Sequence, residues 1–405
     1  MGKPLLSVIC LASILLTSCR WDIERVPHRE DEGIHRNDDD SPAIPPADTT
    51  IYTFGLEFPT SYDWRRDSAY GNVACRVVLF ADQKRIAEFD AGPGTGISAD
   101  PDRHRIWDGH LYSDGNTGDC TVIYRDGEEI FRYPGREMIC GFMVLDGRVH
   151  TLGQNRSGKG LSYRIDGECM LADEGGQVVG DWYSRPTPSG TMYLDGDCVC
   201  FGYRGSDGCW YSVRDAVAER VAADGLDAIL DMRYVDGELA LCGTAERYGG
   251  RAVLVHKGRA QQLWNREAMA TGYCHILPSG GELFVVEGHV RSDGRTETSL
   301  WQGGLTRNYG TDIAGFLVSG GSYATVTRMG TGRLGTVRSK EGFWWFRDEM
   351  LLMSPACAAY GKGAVLIAAT PVRRELSPVL WKNGKSLALT INGYLAGISF
   401  AQSLE

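Results

Sequence analysis

The feature that most constrains the fold is a short pattern that returns at a nearly constant interval along the chain. It consists of an apolar or aromatic strand, a tight turn that usually ends in Gly, and a second short strand, as in residues 122–127 (VIYRDG), 253–258 (VLVHKG) and 379–384 (VLWKNG). The turns fall near positions 83, 127, 167, 215, 258, 304, 342 and 384, which are 38 to 48 residues apart. A period of this length predicts a repeat protein in which each repeat packs on its neighbours.

A second hairpin pattern separates successive copies. It consists of a strand, a turn containing Asp-Gly or Gly-Gly, and another strand, and it occupies residues 142–153, 192–202, 232–243 and 275–288. Asp-Gly and Gly-Gly supply the positive φ that tight hairpin turns need. Each period therefore contains four short strands in two hairpins, which is the content of one blade of a β-propeller.

The two ends of the repeat region complement each other. Residues 50–55 and 75–89 look like the second, third and fourth strands of a blade that lacks its first strand, and residues 393–400 resemble the first strand at residues 313–318. We expect the C-terminal strand to complete the N-terminal blade, which leaves no open sheet edge. The predicted fold is all-β, a single β-propeller over residues 49–405 with eight four-stranded blades; seven is the alternative if the first copy is irregular.

The first residues predict an exported protein. Lys3 precedes an apolar run at residues 5–16, which is too short to span a membrane and is typical of a signal peptide over residues 1–18. Residues 16–19 (LTSC) resemble the lipobox of bacterial lipoproteins, in which the cysteine, here Cys19, carries the lipid. Residue 20 is Arg rather than the Asp that retains some lipoproteins at the inner membrane, so the resemblance implies outer-membrane attachment with the leaflet left open. The alternative is an ordinary signal peptide followed by an unrelated cysteine.

Residues 19–48 differ in composition from everything that follows. From residue 20 they contain nine acids against four arginines and four prolines, and they have few apolar residues. We predict a disordered acidic tether, in which His28 and His35 are solvated rather than metal ligands. The remaining body has a net charge of about −6, because the tether contributes about −5 and Lys3 +1 to the total of −10. An acidic body without a basic stripe argues against a nucleic-acid partner.

One copy of the repeat carries a family resemblance. Residues 380–385 (LWKNGK), together with residues 396–398 (AGI), resemble the repeat of bacterial lipoprotein propellers that have a Leu-Trp-Lys-Asn-Gly turn in each blade. The resemblance covers the whole body in period, but only this last copy matches closely. It implies a secreted propeller and supplies no catalytic residues, because the function of that family is mostly unassigned.

Ten cysteines remain after Cys10 of the signal peptide and Cys19 are set aside. Nine of them follow the repeat, and Cys169 stands apart. Equivalent places in neighbouring blades are usually too far apart for a disulfide, so we expect most of these cysteines to be buried core thiols, although bridges are plausible in an oxidising compartment. Cys198 and Cys200 share one strand face and could hold a soft metal, but no second pair has matching spacing.

Other chemical motifs are weak. Asp102, His104, Asp108 and His110 surround one predicted turn; they could bind a metal, but turn chemistry explains them better. We therefore predict no metal site and no cofactor.

The predicted working face is the side that carries the loops between second and third strands and between blades. These loops are rich in arginine and aromatic residues, which suit an anionic or sugar-like ligand; the alternative is ordinary loop arginines paired locally. The predicted ligand-binding residues are Tyr62, Trp64, Arg65, Arg66, Arg156, Trp182, Tyr183, Arg185, Arg204, Arg247, Arg291, Arg328 and Arg373.

Two functions fit this sequence. The first is a monomeric, membrane-anchored, noncatalytic binding or scaffold lipoprotein that recognises a protein or glycan through the loop face. The second is a secreted enzyme that cleaves a polysaccharide or peptide at the mouth of the propeller channel. Carboxylates and a His that converge in the channel would favour the enzyme.

Overall fold

The computed structural model describes residues 50–64, 73–155, 160–179, 191–223, 225–263, 270–290, 295–311, 313–329, 333–346, 350–353, 355–373 and 376–400. The predicted signal peptide, Cys19 and the acidic tether lie outside these residues. None of the helices in the described ranges has the length and apolar character needed to cross a membrane.

Short β-strands account for most of the described chain, with three 3-10 helices at Pro101–Arg103, Glu246–Tyr248 and Pro355–Cys357. The first half contains β1 (Ile51–Glu57), β2 (Cys75–Ala81), β3 (Lys84–Ala91), β4 (His104–Trp107), β5 (His110–Thr117), β6 (Cys120–Arg125), β7 (Glu128–Pro134), β8 (Met138–Leu145), β9 (Arg148–Gln154), β10 (Leu161–Ile165), β11 (Glu168–Asp173), β12 (Gln177–Val178), β13 (Tyr193–Asp195), β14 (Cys198–Arg204), β15 (Trp210–Arg214) and β16 (Val217–Val221). The second half contains β17 (Ala228–Val235), β18 (Glu238–Ala245), β19 (Arg251–His256), β20 (Arg259–Gln262), β21 (Ala270–Ser279), β22 (Glu282–Val290), β23 (Thr296–Gln302), β24 (Leu305–Gly310), β25 (Ile313–Ser319), β26 (Ser322–Met329), β27 (Arg333–Ser339), β28 (Gly342–Trp345), β29 (Met350–Leu351), β30 (Ala358–Gly361), β31 (Ala364–Pro371), β32 (Val379–Lys382), β33 (Lys385–Ala388) and β34 (Gly393–Phe400).

These strands pair antiparallel into four-stranded meanders, which we number as units. Unit 1 is β34-β1-β2-β3, and units 2, 3, 5 and 6 are β4–β7, β8–β11, β17–β20 and β21–β24. Unit 4 is built on β14–β16, with the short β12 and β13 both paired to β14. Units 7 and 8 are β25–β28 and β30–β33. The chain is therefore an all-β propeller, as its period predicts.

The number of separate sheets differs from the expected eight. The described residues form seven hydrogen-bonded sheets, which is the alternative count. The physical reason is β29. Leu351 pairs with Arg333 of β27, and Met350 and Leu351 both pair with β31, so units 7 and 8 join into one nine-stranded sheet. Unit 8 is therefore present as a four-stranded unit, but it is hydrogen-bonded to unit 7 instead of forming a sheet of its own.

The ring is closed by the last strand, as expected. β34 pairs antiparallel with β1, from Ile51 opposite Phe400 to Glu57 opposite Gly393. The Thr53 hydroxyl adds a buried hydrogen bond to the carbonyl of Gly397 at 2.7 Å. The first unit therefore contains both ends of the described chain.

The repeated turn has a specific hydrogen-bonding role. Its first residue is Asp or Asn with positive φ in five units, at Asp82, Asp126, Asp166, Asp215 and Asn383. In each case the side-chain oxygen accepts the N–H of a residue at the start of the second strand of the same unit, at 2.8–3.1 Å. Asp and Asn tolerate the left-handed backbone region and offer this oxygen, so the turn fastens the two hairpins of a unit together.

Polar contacts join neighbouring units next to the apolar core. The carboxylate of Asp231 on β17 accepts the N–H of Ile276 on β21 at 2.9 Å. The N–H of Leu395 on β34 donates to the Thr370 hydroxyl on β31 at 3.0 Å. These bonds satisfy backbone N–H groups that would otherwise be costly to bury, and they tie the first strands of units 6 and 1 to the neighbouring units 5 and 8.

One pair of cysteines departs from the expectation of unbridged thiols. Cys242 on β18 and Cys274 on β21 form a disulfide with a Cα–Cα distance of 6.3 Å. The expectation considered cysteines at the same place in neighbouring units, which are too far apart to bond. Cys242 lies on a second strand and Cys274 on the first strand of the next unit, and these two strands meet where the units touch. Cys75, Cys140, Cys200 and Cys357 are buried thiols, as expected, and Cys169, which stands outside the repeat, is exposed.

Candidate functional site

A cavity of about 540 Å³ lies among the innermost strands of the ring. Its walls come from the first strands of units 1, 2, 6, 7 and 8, which are β34, β4, β21, β25 and β30, with Phe54 of β1 and Ala356 added. The first strands line the channel because each unit presents its first strand to the ring centre. The cavity is therefore a direct product of the repeat.

Most of the wall is apolar. Its apolar lining residues include Leu277, Phe316, Val318, Ile398 and Phe400. Val318 and Phe400 are half-buried, whereas Phe316 is fully buried. The polar groups are few, and they come from His104, Arg105, Tyr360 and Ser399. A concave apolar space with a few fixed polar groups has the general character of a ligand pocket.

His104 is a neutral hydrogen-bonded group in this wall. Its ring is buried, and Nδ1 lies 2.7 Å from the Ser113 hydroxyl. Burial, aided by the charges of Arg105 and Arg103, lowers the pKa of His104 to about 3. The imidazole is therefore uncharged at neutral pH.

The other residues of the sequence motif around His104 do not join it. The His110 ring is half exposed and pairs with Asp126 at 2.6 Å. The Asp102 amide serves the 3-10 turn by donating to Asp100 at 3.0 Å. Within the described ranges, no three His, Cys, Asp or Glu side chains come together as a possible metal site.

Arg105 is held rigidly at the cavity wall. The buried carboxylate of Asp114 accepts a hydrogen bond from Arg105 at 3.0 Å and from Arg103 at 2.5 Å. Arg105 also donates to the carbonyl of Ile139 in unit 3 at 3.3 Å. This arginine therefore contributes a positioned positive group without a free choice of rotamer.

Tyr360 is a fixed donor at another part of the wall. Its hydroxyl donates to the Glu341 carboxylate at 3.0 Å. Burial and this neighbouring carboxylate raise the pKa of Tyr360 to about 12. The phenol therefore stays protonated at all physiological pH values.

No Asp or Glu is among the residues that the structure describes around this cavity. Buried acids occur elsewhere and have partners: Asp231 pairs with Arg233 at 3.3 Å, and Glu287 lies 3.3 Å from a ring nitrogen of His289. The arrangement of carboxylates and a His that would favour a hydrolase is not present in the cavity wall.

The residues predicted for the loop face lie in different units at one end of the strands. Tyr62 and Trp64 follow β1, Arg204 ends β14, Arg247 follows β18, Arg328 lies near the end of β26 and Arg373 follows β31. All of these positions lie at the junction of second and third strands, as predicted. Arg65, Arg66, Arg156, Trp182, Tyr183, Arg185 and Arg291 fall outside the described residues.

Their exposure is uneven. Arg204, Arg247 and Arg373 are exposed, and Arg247 lies over the Tyr248 ring at 5.0 Å. Arg328 is partly buried and donates to the carbonyl of Leu352 at 3.3 Å.

Two aromatic residues predicted for the loop face lie in the described ranges, and both are too buried to offer a ring face on which a sugar could stack. Trp64 is only 5% exposed and packs on Tyr394, with ring centroids 5.2 Å apart. Tyr62 is half-buried against Phe58, with ring centroids 5.3 Å apart. Ligand binding by the loop face stays a prediction that depends on the arginines.

Sequence reasoning predicted a channel inside the ring but did not identify the residues that line its cavity. Val318, Tyr360 and Phe400 lie near the ends of their first strands, which is the end opposite the predicted loop face. Their apolar pattern is that of any buried strand. The one available signal is the recurrence of first strands, which must surround a channel if the ring closes.

Comparisons with known proteins agree with the architecture. No protein-family model matches the chain, and no curated protein matches it. Among solved structures, the chain is similar to the dihydro-heme d1 dehydrogenase NirN in complex with DHE, at 12% identity and a TM-score of 0.51, covering 86% of this chain and 75% of that one.

Two further structures have lower scores. One is the β-propeller domain of the trilobed protease from Pyrococcus furiosus, at 8% identity and a TM-score of 0.37, covering 78% of this chain and 92% of that one. The other is the acylaminoacyl peptidase of Pyrococcus horikoshii, at 9% identity and a TM-score of 0.42, covering 70% of this chain and 49% of that one. At these identities the likeness concerns the fold alone.

Proposed function

We propose that this propeller is a noncatalytic binding protein that holds an apolar side chain of a partner protein segment in its central cavity. The observation that carries the proposal is the apolar cavity of about 540 Å³ within the ring, bounded by first strands of five units. A volume of this size falls within the usual range for ligand sites. Apolar walls favour an apolar side chain over a sugar, which needs many hydrogen-bonding partners.

The polar groups of the wall support binding rather than catalysis. His104 is neutral and bonded to Ser113, and Tyr360 is a protonated donor bonded to Glu341. Arg105 is engaged by Asp114. Such groups orient a backbone or a terminal carboxylate, whereas general acid–base catalysis needs a group whose pKa lies near the working pH.

The proposal includes attachment to the outer membrane through a lipid on Cys19. Its support is the LTSC sequence at residues 16–19 and the likeness of residues 380–385 to the repeat of lipoprotein propellers. The Cys242–Cys274 disulfide is consistent with an oxidising compartment outside the cytoplasm.

The test fills the cavity. Ala359 lines it on β30, so Ala359→Phe should occupy the space, and Ala260→Phe on the exposed outer strand β20 is the matched control. The full chain in lipid nanodiscs is panned against a library of 12-residue peptides, and the dissociation constants of the enriched peptides are measured. We expect the enriched peptides to share an apolar anchor residue and to bind Ala359→Phe at least tenfold more weakly, with Ala260→Phe unchanged.

Equal binding to both variants would reject the cavity as the site. If Ala359→Phe lowers the thermal midpoint sharply, Val318→Trp at the half-buried rim of the cavity replaces it. Arg247→Gln tests the predicted loop face in the same titration. A loss confined to that variant would place the partner on the loops instead.

A further inference from the structure

A second cavity lies between units 6 and 7, and we call it the unit 6–7 cleft. It has a volume of about 710 Å³ and is lined mainly by polar residues of β24, β26 and the end of β27. The lining of the unit 6–7 cleft includes no member of the predicted loop face.

The unit 6–7 cleft collects positive charge in an acidic protein. Arg307, Arg338 and Lys340 line it, and no carboxylate is among the described residues of its wall. Three acids lie close by. Glu341 bonds to Tyr360 at 3.0 Å and lies 4.0 Å from the Lys340 ammonium. Buried Glu297 accepts a hydrogen bond from the Asn308 amide, and Glu282 lies at the edge beside Gly321. Arg307 comes from unit 6 and Arg338 and Lys340 from unit 7. These three cations line one cleft without a carboxylate among its described lining residues, which favours an anionic ligand.

Two tyrosines form a rigid back wall. The hydroxyls of Tyr309 and Tyr323 lie 2.6 Å apart, and Arg307 donates to the Tyr323 hydroxyl at 3.0 Å. Both rings pack on the buried Phe316, at centroid distances of 5.1 Å and 6.5 Å. Burial and the Tyr323 hydroxyl raise the pKa of Tyr309, so its phenol remains a donor. The cleft therefore offers preorganised donors beside its cations.

Exposed aromatic rings extend the same wall outward. Phe343 is opposite Arg338 in the β27–β28 pair, and the Arg338 guanidinium lies 5.7 Å from its ring centroid. Cross-strand partners and residues two apart share a sheet face, so Trp345 lies on the same face. Phe343 and Trp345 are 58% and 63% exposed. The intervening Trp344 packs instead on Trp381 of unit 8, at a centroid distance of 5.1 Å.

We propose that the unit 6–7 cleft and the adjoining rings of Phe343 and Trp345 bind an acidic oligosaccharide whose sugar units carry carboxylates. Arg307, Arg338 and Lys340 pair with the carboxylates, because guanidinium groups match them in shape and charge. The tyrosine hydroxyls bond to sugar hydroxyls, and the aromatic faces stack on the sugar rings. This site is separate from the central cavity and does not depend on its occupant.

The test is calorimetric titration of the full chain in nanodiscs with tetragalacturonic acid and with its carboxyl-reduced counterpart. We expect saturable binding of the acid and at least tenfold weaker binding of the reduced sugar. Arg338→Gln should weaken binding of the acid by about tenfold or more, since a charge-assisted hydrogen bond is lost, and Trp345→Ala should weaken it by about threefold or more.

The controls match each change. Arg259→Gln removes an exposed arginine from β20, and Leu387→Ala removes an exposed apolar side chain from β33; both should bind as the unaltered chain does. Absence of saturable binding, equal binding of the reduced sugar, or equal losses in the control variants would each overturn the proposal. If inorganic phosphate at the same concentration of negative charge displaced the bound tetrasaccharide as well as free tetrasaccharide does, the sugar assignment would be overturned.

Discussion

At the scale of single residues, burial decides the chemistry of His104. The sequence places this histidine among two aspartates and a second histidine, which makes it a metal-ligand candidate. In the folded chain its ring packs against Phe54, at a centroid distance of 5.7 Å, and its Nδ1 is hydrogen-bonded to the Ser113 hydroxyl. The other members of the cluster have different roles: the Asp102 amide donates to Asp100 in the 3-10 turn, and His110 pairs with Asp126.

This burial has a consequence for stability against pH. The pKa of His104 is lowered to about 3 from 6.5, so between these values the unfolded chain binds a proton that the folded chain does not. Stability from this residue is complete above pH 6.5 and declines as the pH falls towards 3, by about 3 kcal/mol between pH 7 and pH 4. Thermal midpoints measured from pH 7 to pH 4 should fall less steeply for His104→Gln than for the unaltered chain. Parallel curves for the two proteins would contradict the burial of a neutral His104.

Trp64 shows what single residues could not reveal in the sequence. It lies in a loop rich in polar residues and was expected on an exposed face. Its ring instead packs on Tyr394, 330 positions along the chain. Only closure of the ring brings β34 to this loop, and no local pattern around residue 64 reports that contact.

At the scale of elements, the turn residue between third and fourth strands is the part of the repeat with the clearest physical role. Asp126 has a φ of 52° and accepts the Leu111 N–H at 2.9 Å. Unit 5 has Lys257 at the same place, with a φ of 53°, and lysine cannot accept that bond. The sequence revealed the turns through their Asp-Gly and Asn-Gly pairs, but the bond to the second strand follows only from the folded geometry.

Substitutions at these turns should move stability in opposite directions. Asp126→Ala loses the acceptor and places Ala in the left-handed region, a loss of about 2 kcal/mol, whereas Asp126→Asn keeps both features and is the matched control. Lys257→Asp should gain about 0.5 to 1 kcal/mol by supplying the missing acceptor. Urea unfolding of the three variants checks the prediction. A loss for Asp126→Asn as large as for Asp126→Ala would show that charge, not the turn geometry, is responsible.

At the scale of the whole molecule, the repeat period was enough to predict the propeller, its strand content and the closing strand. The period did not predict that β29 would merge units 7 and 8, because a two-residue bridge has no pattern of its own. It implied a channel but not the residues that line the central cavity, and it gave no sign of the unit 6–7 cleft. Both spaces depend on how far apart neighbouring units lie and on which side chains meet across them. That spacing cannot be read from the order of residues along the chain.

The central claim is that the ring is closed by β34, since the cavity wall and the position of Trp64 both depend on that strand. Hydrogen–deuterium exchange of the full chain tests this most directly. The amides of Gly393–Phe400 that pair with Ile51–Glu57 should exchange as slowly as those shared by Ile51–Glu57 and Cys75–Ala81, because both sets belong to one sheet. Rapid exchange across Gly393–Phe400, with slow exchange kept in Cys75–Ala81, would contradict the closed ring.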